Sequence, residues 1–160
     1  MFDSMNNANP FVHVARASVS ERNGIAGMLR YYLSELGAPP EYPYLDLYWS
    51  ESGRFPYLLC VADEVIGFAL VRFDAHAFQM AEFYVAPAWR RRRFGRAAAA
   101  ALFTAHPGRW EVSGFPGNAA AEAFWASVLS SYGTCTQDSA GVRHFEAYGP
   151  PTAPSIPNID

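Results

Sequence analysis

Glu82-Phe-Tyr-Val-Ala-Pro-Ala-Trp-Arg-Arg-Arg-Arg-Phe-Gly-Arg-Ala97 runs without a break into Ala98-Ala-Ala-Ala-Leu-Phe103. The stretch reads as a strand ending at Val85, a turn packed with arginine, and an alanine-rich helix from Phe94. Four consecutive arginines then stand at the start of a helix, an end that already carries positive partial charge and unpaired N–H groups. Such a turn calls for an anion. The formal net charge of the whole chain is −3, which argues against a nucleic-acid partner, so the expected ligand is a small, highly charged anion.

Working outward, residues 78–85 form the strand that leads into the turn, and residues 56–62 and 65–73 read as two earlier strands joined tightly at Asp63-Glu64. Gly67, inside the second of these, marks a close backbone contact. Residues 11–15 alternate as a short first strand, after which Ser18 or Ser20 caps a helix that Gly37 and Pro39-Pro40 end after Leu36. The aromatic stretch 41–51 reads as a short helix or loop. Downstream, the helix over 94–105 stops at Pro107-Gly108, residues 110–115 form a strand, and Asn118 caps a helix through Ser131. Residues 134–138 and 142–148 close the chain as two more strands. The reading is a mixed α/β domain over residues 11–148, between an Asn-rich tail at 1–10 and a Pro-rich tail at 149–160.

Hydrophobic residues make up 51% of the 160 and aromatics 16%, a composition that supports one packed core and excludes wholesale disorder. No apolar run is long enough to cross a membrane and no secretory pattern is present, so a cytoplasmic location without a membrane partner is expected. Cys60 and Cys135 lack disulfide or metal spacing and are expected to be reduced and inert. His13, His76, His106 and His144 are scattered without metal-like spacing; no metal is expected, and His76 alone is worth testing as a base.

Val85-x-Pro87-x-x-Arg90-Arg-Arg-Arg-Phe-Gly95-Arg-Ala97 resembles the strand–turn–helix signature of the GNAT superfamily of acyl-CoA-dependent N-acetyltransferases, and the order of elements follows that family across nearly the whole chain. The resemblance implies a mostly antiparallel sheet of six to seven strands, splayed at its centre and flanked by about four helices. It implies acetyl-CoA as donor, its pyrophosphate cradled by Arg90, Arg91, Arg92, Arg93, Phe94, Gly95, Arg96 and Ala97. Its pantetheine arm would pair with Phe83, Tyr84 and Val85, with Asn118 and Trp125 contributing from the last helix. Two departures stand out. Arg93 occupies the place of the first motif glycine, and Trp125 that of the tyrosine many relatives use to protonate the leaving thiolate.

Acyl transfer to an amine needs a neutral nucleophile and a polarised carbonyl. Glu82, on the same face of its strand as Tyr84, is the candidate base; the alternative is an ion-paired or solvent-facing glutamate. An indole is not a useful acid, so the thiolate leaves unprotonated, takes its proton from solvent, or uses Tyr84 or Tyr132. Tyr32, Tyr44, Asp46, Tyr48 and Trp49 are the candidate acceptor residues, through carboxylate pairing and cation–π contact; the alternative is an aromatic lid on the core. The expected activity is acetylation of a primary amine on a small molecule, peptide or protein, by a chain that can form a homodimer. A longer acyl donor, or a catalytically weak acyl-CoA-binding module, stand as alternatives.

Overall fold

A computed structural model describes residues 11–114 and 117–148. The expected tails at 1–10 and 149–160, and Phe115 at the end of one expected strand, lie outside the described residues.

Ser18 opens the first helical segment, its backbone N–H and hydroxyl both donating to Glu21 Oε1 at 2.9 and 3.1 Å. Helix α1 (Arg22–Leu36) buries Ile25, Leu29 and Leu33, one stripe at helical spacing. Gly37 closes it in the left-handed conformation (φ 65°), with Ala38 N–H reaching back to Leu33 O at 3.0 Å.

Strand β1 (Val12–Arg16) pairs antiparallel with β2 (Arg54–Val61), β2 with β3 (Glu64–Phe73), and β3 with β4 (Phe78–Val85). The β2–β3 turn is Ala62-Asp63, one residue earlier than the sequence suggests, because Val61 pairs with Glu64; Ala62 accepts a φ of 52° to make it. Helix α2 (Phe94–Ala105) follows the arginine turn, then β5 (Gly108–Ser113), α3 (Ala119–Leu129), β6 (Thr136–Gln137) and β7 (Val142–Ala147). The sheet order is β1-β2-β3-β4-β5-β7-β6. Three α-helices flank it among the described residues. In the place of an expected fourth stands a 3-10 turn at Leu45–Trp49, too short and irregular in pattern to propagate as α-helix.

Two apolar clusters sandwich this sheet. One, under α2 and α3, is built on Trp110, Phe103 and Phe145, with Phe83 and Val85 of β4 packed on it. The other, under α1 and the 3-10 turn, contains Leu58, Phe68, Leu70 and Tyr84. Strand β4 thus contributes to both, and it is where the sheet opens. Its parallel ladder to β5 holds only Phe78↔Trp110 and Gln79↔Glu111, so from Met80 to Val85 it has no partner on that side. Among the described residues no helix is long and apolar enough to cross a membrane.

Candidate active site

A register shift in the β3–β4 ladder puts Leu70 opposite Glu82 and Val71 opposite Met80, leaving Ala81 as an extra residue. Simple alternation from Met80 would turn Glu82 into the α2–α3 core. The bulge instead sends both Ala81 and Glu82 toward α1, and Phe83 resumes the other face. Glu82 is partly buried there. Burial pushes its carboxyl above its ordinary range, and the phenols of Tyr32 and Tyr42 facing it pull part of the way back. Burial also raises the Tyr32 and Tyr42 phenols, with the Glu82 charge adding to the effect, so both remain protonated donors at neutral pH. Tyr48 joins them; its phenol is raised by burial and feels Arg54, Arg72 and Glu82.

Tyr42 carries no signal that sets it apart from the other tyrosines of its stretch, and sequence reasoning passes over it. Of the acceptor candidates, Tyr32 faces Glu82 and Tyr48 lies beside Tyr42, within reach of the Glu82 charge, while three do other work. Asp46 accepts from Arg22 Nε at 2.7 Å, Trp49 donates its indole N–H to Ala17 O at 3.0 Å, and Tyr44 is 54% exposed, edge-on to Tyr42. His76 lies exposed in the β3–β4 loop, its backbone N–H donating to Asp74 Oδ1 at 3.0 Å.

The opposite face of β4 meets the start of α2. No acidic residue or side-chain cap serves that helix end. Between Arg90 N–H, which donates to Pro87 O, and Ala97 N–H, which donates to Arg93 O, no main-chain N–H finds a backbone acceptor among the described residues. Arg91 and Arg93 have φ of 60° and 66°, with Arg92 between them in the ordinary negative range. Alternation of this kind curls successive N–H groups into a concave nest for an anion. Each left-handed arginine costs roughly 1–2 kcal/mol, a strain that persists where the surroundings over-determine it. Arg93 therefore keeps the backbone conformation that a glycine provides while adding a cation. A phosphate-bearing group fits this donor set.

The arginines divide by role. Arg90 is spent within the protein: its Nη1 and Nη2 donate to both Glu35 oxygens at 2.9 and 2.8 Å, and its Nε to Val85 O at 2.7 Å. Its guanidinium also covers the Tyr84 ring, 5.6 Å from the centroid. The sequence places Arg90 with the cofactor ligands; the structure makes it a pin between the end of α1 and the mouth of the gap. Arg92 lies over Trp89 and Phe94, and Arg96 donates to Ser127 of α3. Arg91 and Arg93 make no ion pair among the described residues.

Gly95 serves packing. A Cβ there would lie 3.3 Å from Phe124 Cε2 and 3.6 Å from Val85 Cγ2, so its absence lets α2 settle against α3 and β4. Phe124 stacks on Phe83 with centroids 5.7 Å apart, and Trp125, 6% exposed, meets Phe83 edge-on at 5.2 Å. Asn118 uses its carboxamide oxygen to accept Ala121 N–H at 3.0 Å, capping α3.

The main chain of the gap can be oriented from its peptide units. Ala86 N–H donates to Ile66 O of β3 at 2.7 Å, and a trans unit points its carbonyl the other way, so Val85 C=O faces the open side where Arg90 takes it. Tyr84 C=O lies against Gly67 of β3, where an added Cβ would come within 1.9 Å of it. The N–H of that same unit, on Val85, therefore points into the gap.

A sheet that opens at its centre, beside a glutamate on one face of β4 and an uncapped helix start on the other, agrees with the splayed sheet that the resemblance implies. The model of the acetyltransferase (GNAT) family matches residues 22–129, more than half of the chain. The chain belongs to the GNAT acetyltransferase family, a family of acyltransferases. No curated protein matches it. Among solved structures it is similar to a GNAT-family acetyltransferase from Staphylococcus aureus Mu50, with a TM-score of 0.67 at 9% identity, covering 85% of this chain and 99% of that one. It is similar to the ribosomal-protein-S18-alanine N-acetyltransferase of Escherichia coli, with a TM-score of 0.60 at 15% identity, covering 94% of this chain and 99% of that one. The PaiA N-acetyltransferase of Thermoplasma acidophilum, solved with coenzyme A, gives a TM-score of 0.60 at 10% identity over 86% of this chain and 99% of its own. At such identities the likeness concerns the fold.

Proposed function

We propose that this chain is an N-acetyltransferase that binds acetyl-CoA in the β4–β5 gap and acetylates a primary amine delivered to the α1 face. The observation that carries the proposal is the uncapped, cation-flanked start of α2 opening beside the unpaired edge of β4. The coenzyme A bound by the Thermoplasma acidophilum protein and the acetyl-CoA bound by a GNAT acetyltransferase from Elizabethkingia anophelis support that choice of donor.

Bound there, acetyl-CoA supplies an activated acyl thioester. The N–H groups from Arg91 to Arg96, with the Arg91 and Arg93 side chains, would hold its phosphates. Val85 N–H, aimed into the gap, would be the main-chain donor available to the thioester carbonyl. Glu82, on the α1 face two strand positions before Tyr84, accepts the proton of the incoming ammonium directly or through one water. Burial raises its carboxyl, which makes it a stronger proton acceptor than an exposed glutamate. Tyr32, Tyr42 and Tyr48 orient the amine.

Neither phenol considered as an acid opens on the gap. Tyr84 is 5% exposed beneath Arg90, and Tyr132 packs on Phe103 and Phe145. The leaving thiolate would accordingly take its proton from solvent. The test is release of free thiol from acetyl-CoA with a panel of primary amines. Amine-dependent release that falls at least a hundredfold in Glu82→Gln supports the reading; release that Glu82→Gln leaves intact removes the base.

A further inference from the structure

The acceptor face extends beyond Glu82, and one row of the sheet farther from the cofactor turn it changes sign. Arg54 of β2, Arg72 of β3 and Gln79 of β4 are directly paired across the ladders. All three point to the α1 face. Arg72 follows Leu70 of the α1-side cluster by two residues, and the Arg54 guanidinium covers Tyr48 of that cluster, 5.3 Å from the ring centroid. The row containing Glu82 and Leu70 is the next one along, about 7 Å away at two residues of strand rise.

The two arginines are not equivalent. Arg54 donates to Glu51 Oε2 at 2.9 Å, and its charge is matched. Arg72 is exposed and forms no ion pair among the described residues; its Nε donates to Gln79 Oε1 at 2.9 Å and its Nη2 to the same oxygen. Gln79 cannot turn round to serve it differently, because its Nε2 donates to Asp74 Oδ2 at 2.8 Å and to Glu111 Oε2 at 3.3 Å. Those two carboxylates are hydrogen-bonded to Gln79 and not to Arg72, although Asp74 lies near enough to feel its charge. The guanidinium is thus held in place by a neutral group that does not pair its charge, and among the described residues Nη1 has no hydrogen-bond partner. A fixed cation stands one row from a proton-accepting carboxylate, with three phenols lining the same face.

We propose that the acceptor is a small zwitterion, a primary amine carrying a carboxylate about five or six bonds away, with the amine at Glu82 and the carboxylate on Arg72. This rests on the assignment of the α1 face as the acceptor side. A simple hydrophobic amine leaves Arg72 without a counterion, and a diamine places a second cation against it. The carboxylate in turn gains a charge-assisted hydrogen bond of the kind that distinguishes otherwise similar ligands.

The test uses three probes of one length: 5-aminopentanoate, pentylamine and 1,5-diaminopentane. Each is titrated calorimetrically into the full chain, once saturated with coenzyme A and once without it. Failure of coenzyme A to bind is then read separately, and the comparison of acceptors survives it. The expected result is binding of 5-aminopentanoate about tenfold or more tighter than pentylamine, with the diamine weakest. In Arg72→Gln that ratio falls to about one. Equal or tighter binding of pentylamine or the diamine, binding of none of the three, or a preference that survives Arg72→Gln overturns the proposal.

Discussion

On its α2–α3 face, β4 presents Phe83 and Val85 to Phe124, Trp125 and Gly95, and the polar groups that remain are main-chain N–H groups. On its α1 face the same strand presents Glu82, and the groups around it are side chains from separate parts of the chain: Tyr32 in α1, Tyr42 before the 3-10 turn, Tyr48 within it. The first candidate site is made chiefly of backbone, flanked by arginine side chains, and the second of side chains alone. A backbone site tolerates an unusual residue provided its dihedrals hold, which is how Arg93 stands at a φ of 66° where the family signature has glycine. A side-chain site has no such tolerance, because its chemistry is the substituted atoms themselves. Arg90 joins the two, clamping Glu35 of α1 and the Val85 carbonyl at once. Arg90 holds the Glu35 carboxyl below its usual range, and as a partly exposed pair it adds little stability; its role is geometric.

The largest expected effect strikes the element both faces share. Gly67→Ala puts a Cβ at 1.9 Å from the Tyr84 carbonyl, which is backbone and cannot step aside, so the β3–β4 ladder must part. A loss of about 3 kcal/mol or more in denaturant unfolding is expected; a near-neutral result would show that the close approach is not needed.

Glu82→Gln separates the faces. Turnover should fall by about two to three orders of magnitude while coenzyme A affinity stays within a few-fold, because the substituted atoms lie across the strand from the nest. The same variant gives a stability signature with a definite sign. The folded carboxyl titrates above its unfolded value, so the folded state holds the extra proton in the window between them, and stability falls as pH rises through that window. Glu82→Gln should therefore be more stable than the parent above the raised value, with the difference vanishing below the ordinary carboxylate range. A difference independent of pH would contradict the burial of that charge. Smallest is Arg93→Gly, which relieves a left-handed side-chain residue at the cost of unfolded-state entropy. A stability change within about 1 kcal/mol is expected, with coenzyme A affinity retained within about tenfold. Complete loss of binding would mean that the side chain, and not the backbone, makes the nest.

The same contrast explains what the sequence reveals. The strand–turn–helix of residues 78–105, the Asn118 cap and the Gly37 stop are local, each decided by a few neighbouring residues, and Gly67 marks a close contact without naming its partner, Tyr84. The bulge at Ala81 is not, since nothing in Met-Ala-Glu-Phe marks where alternation will slip; Glu82 and Tyr84 share a face by plain alternation, and the slip decides only how Met80 stands relative to them. The pin from Arg90 to Glu35 spans 55 positions and leaves no trace in either neighbourhood. The aromatic stretch before β2 has no period from which to tell Tyr42, which faces Glu82, and Tyr48 beside it from Tyr44 and Trp49, which turn elsewhere. Local patterns specify the backbone site, and only the fold assembles the side-chain site.

The central claim is that the start of α2 is a phosphate nest in the gap of the sheet, and calorimetric titration of acetyl-CoA into the parent chain and Gly95→Val tests it most directly. The account predicts saturable one-to-one binding by the parent and at least about tenfold weaker binding by the variant, whose added side chain pushes α2 away from Phe124 and Val85. Absence of binding by the parent, or equal binding by both, would contradict it.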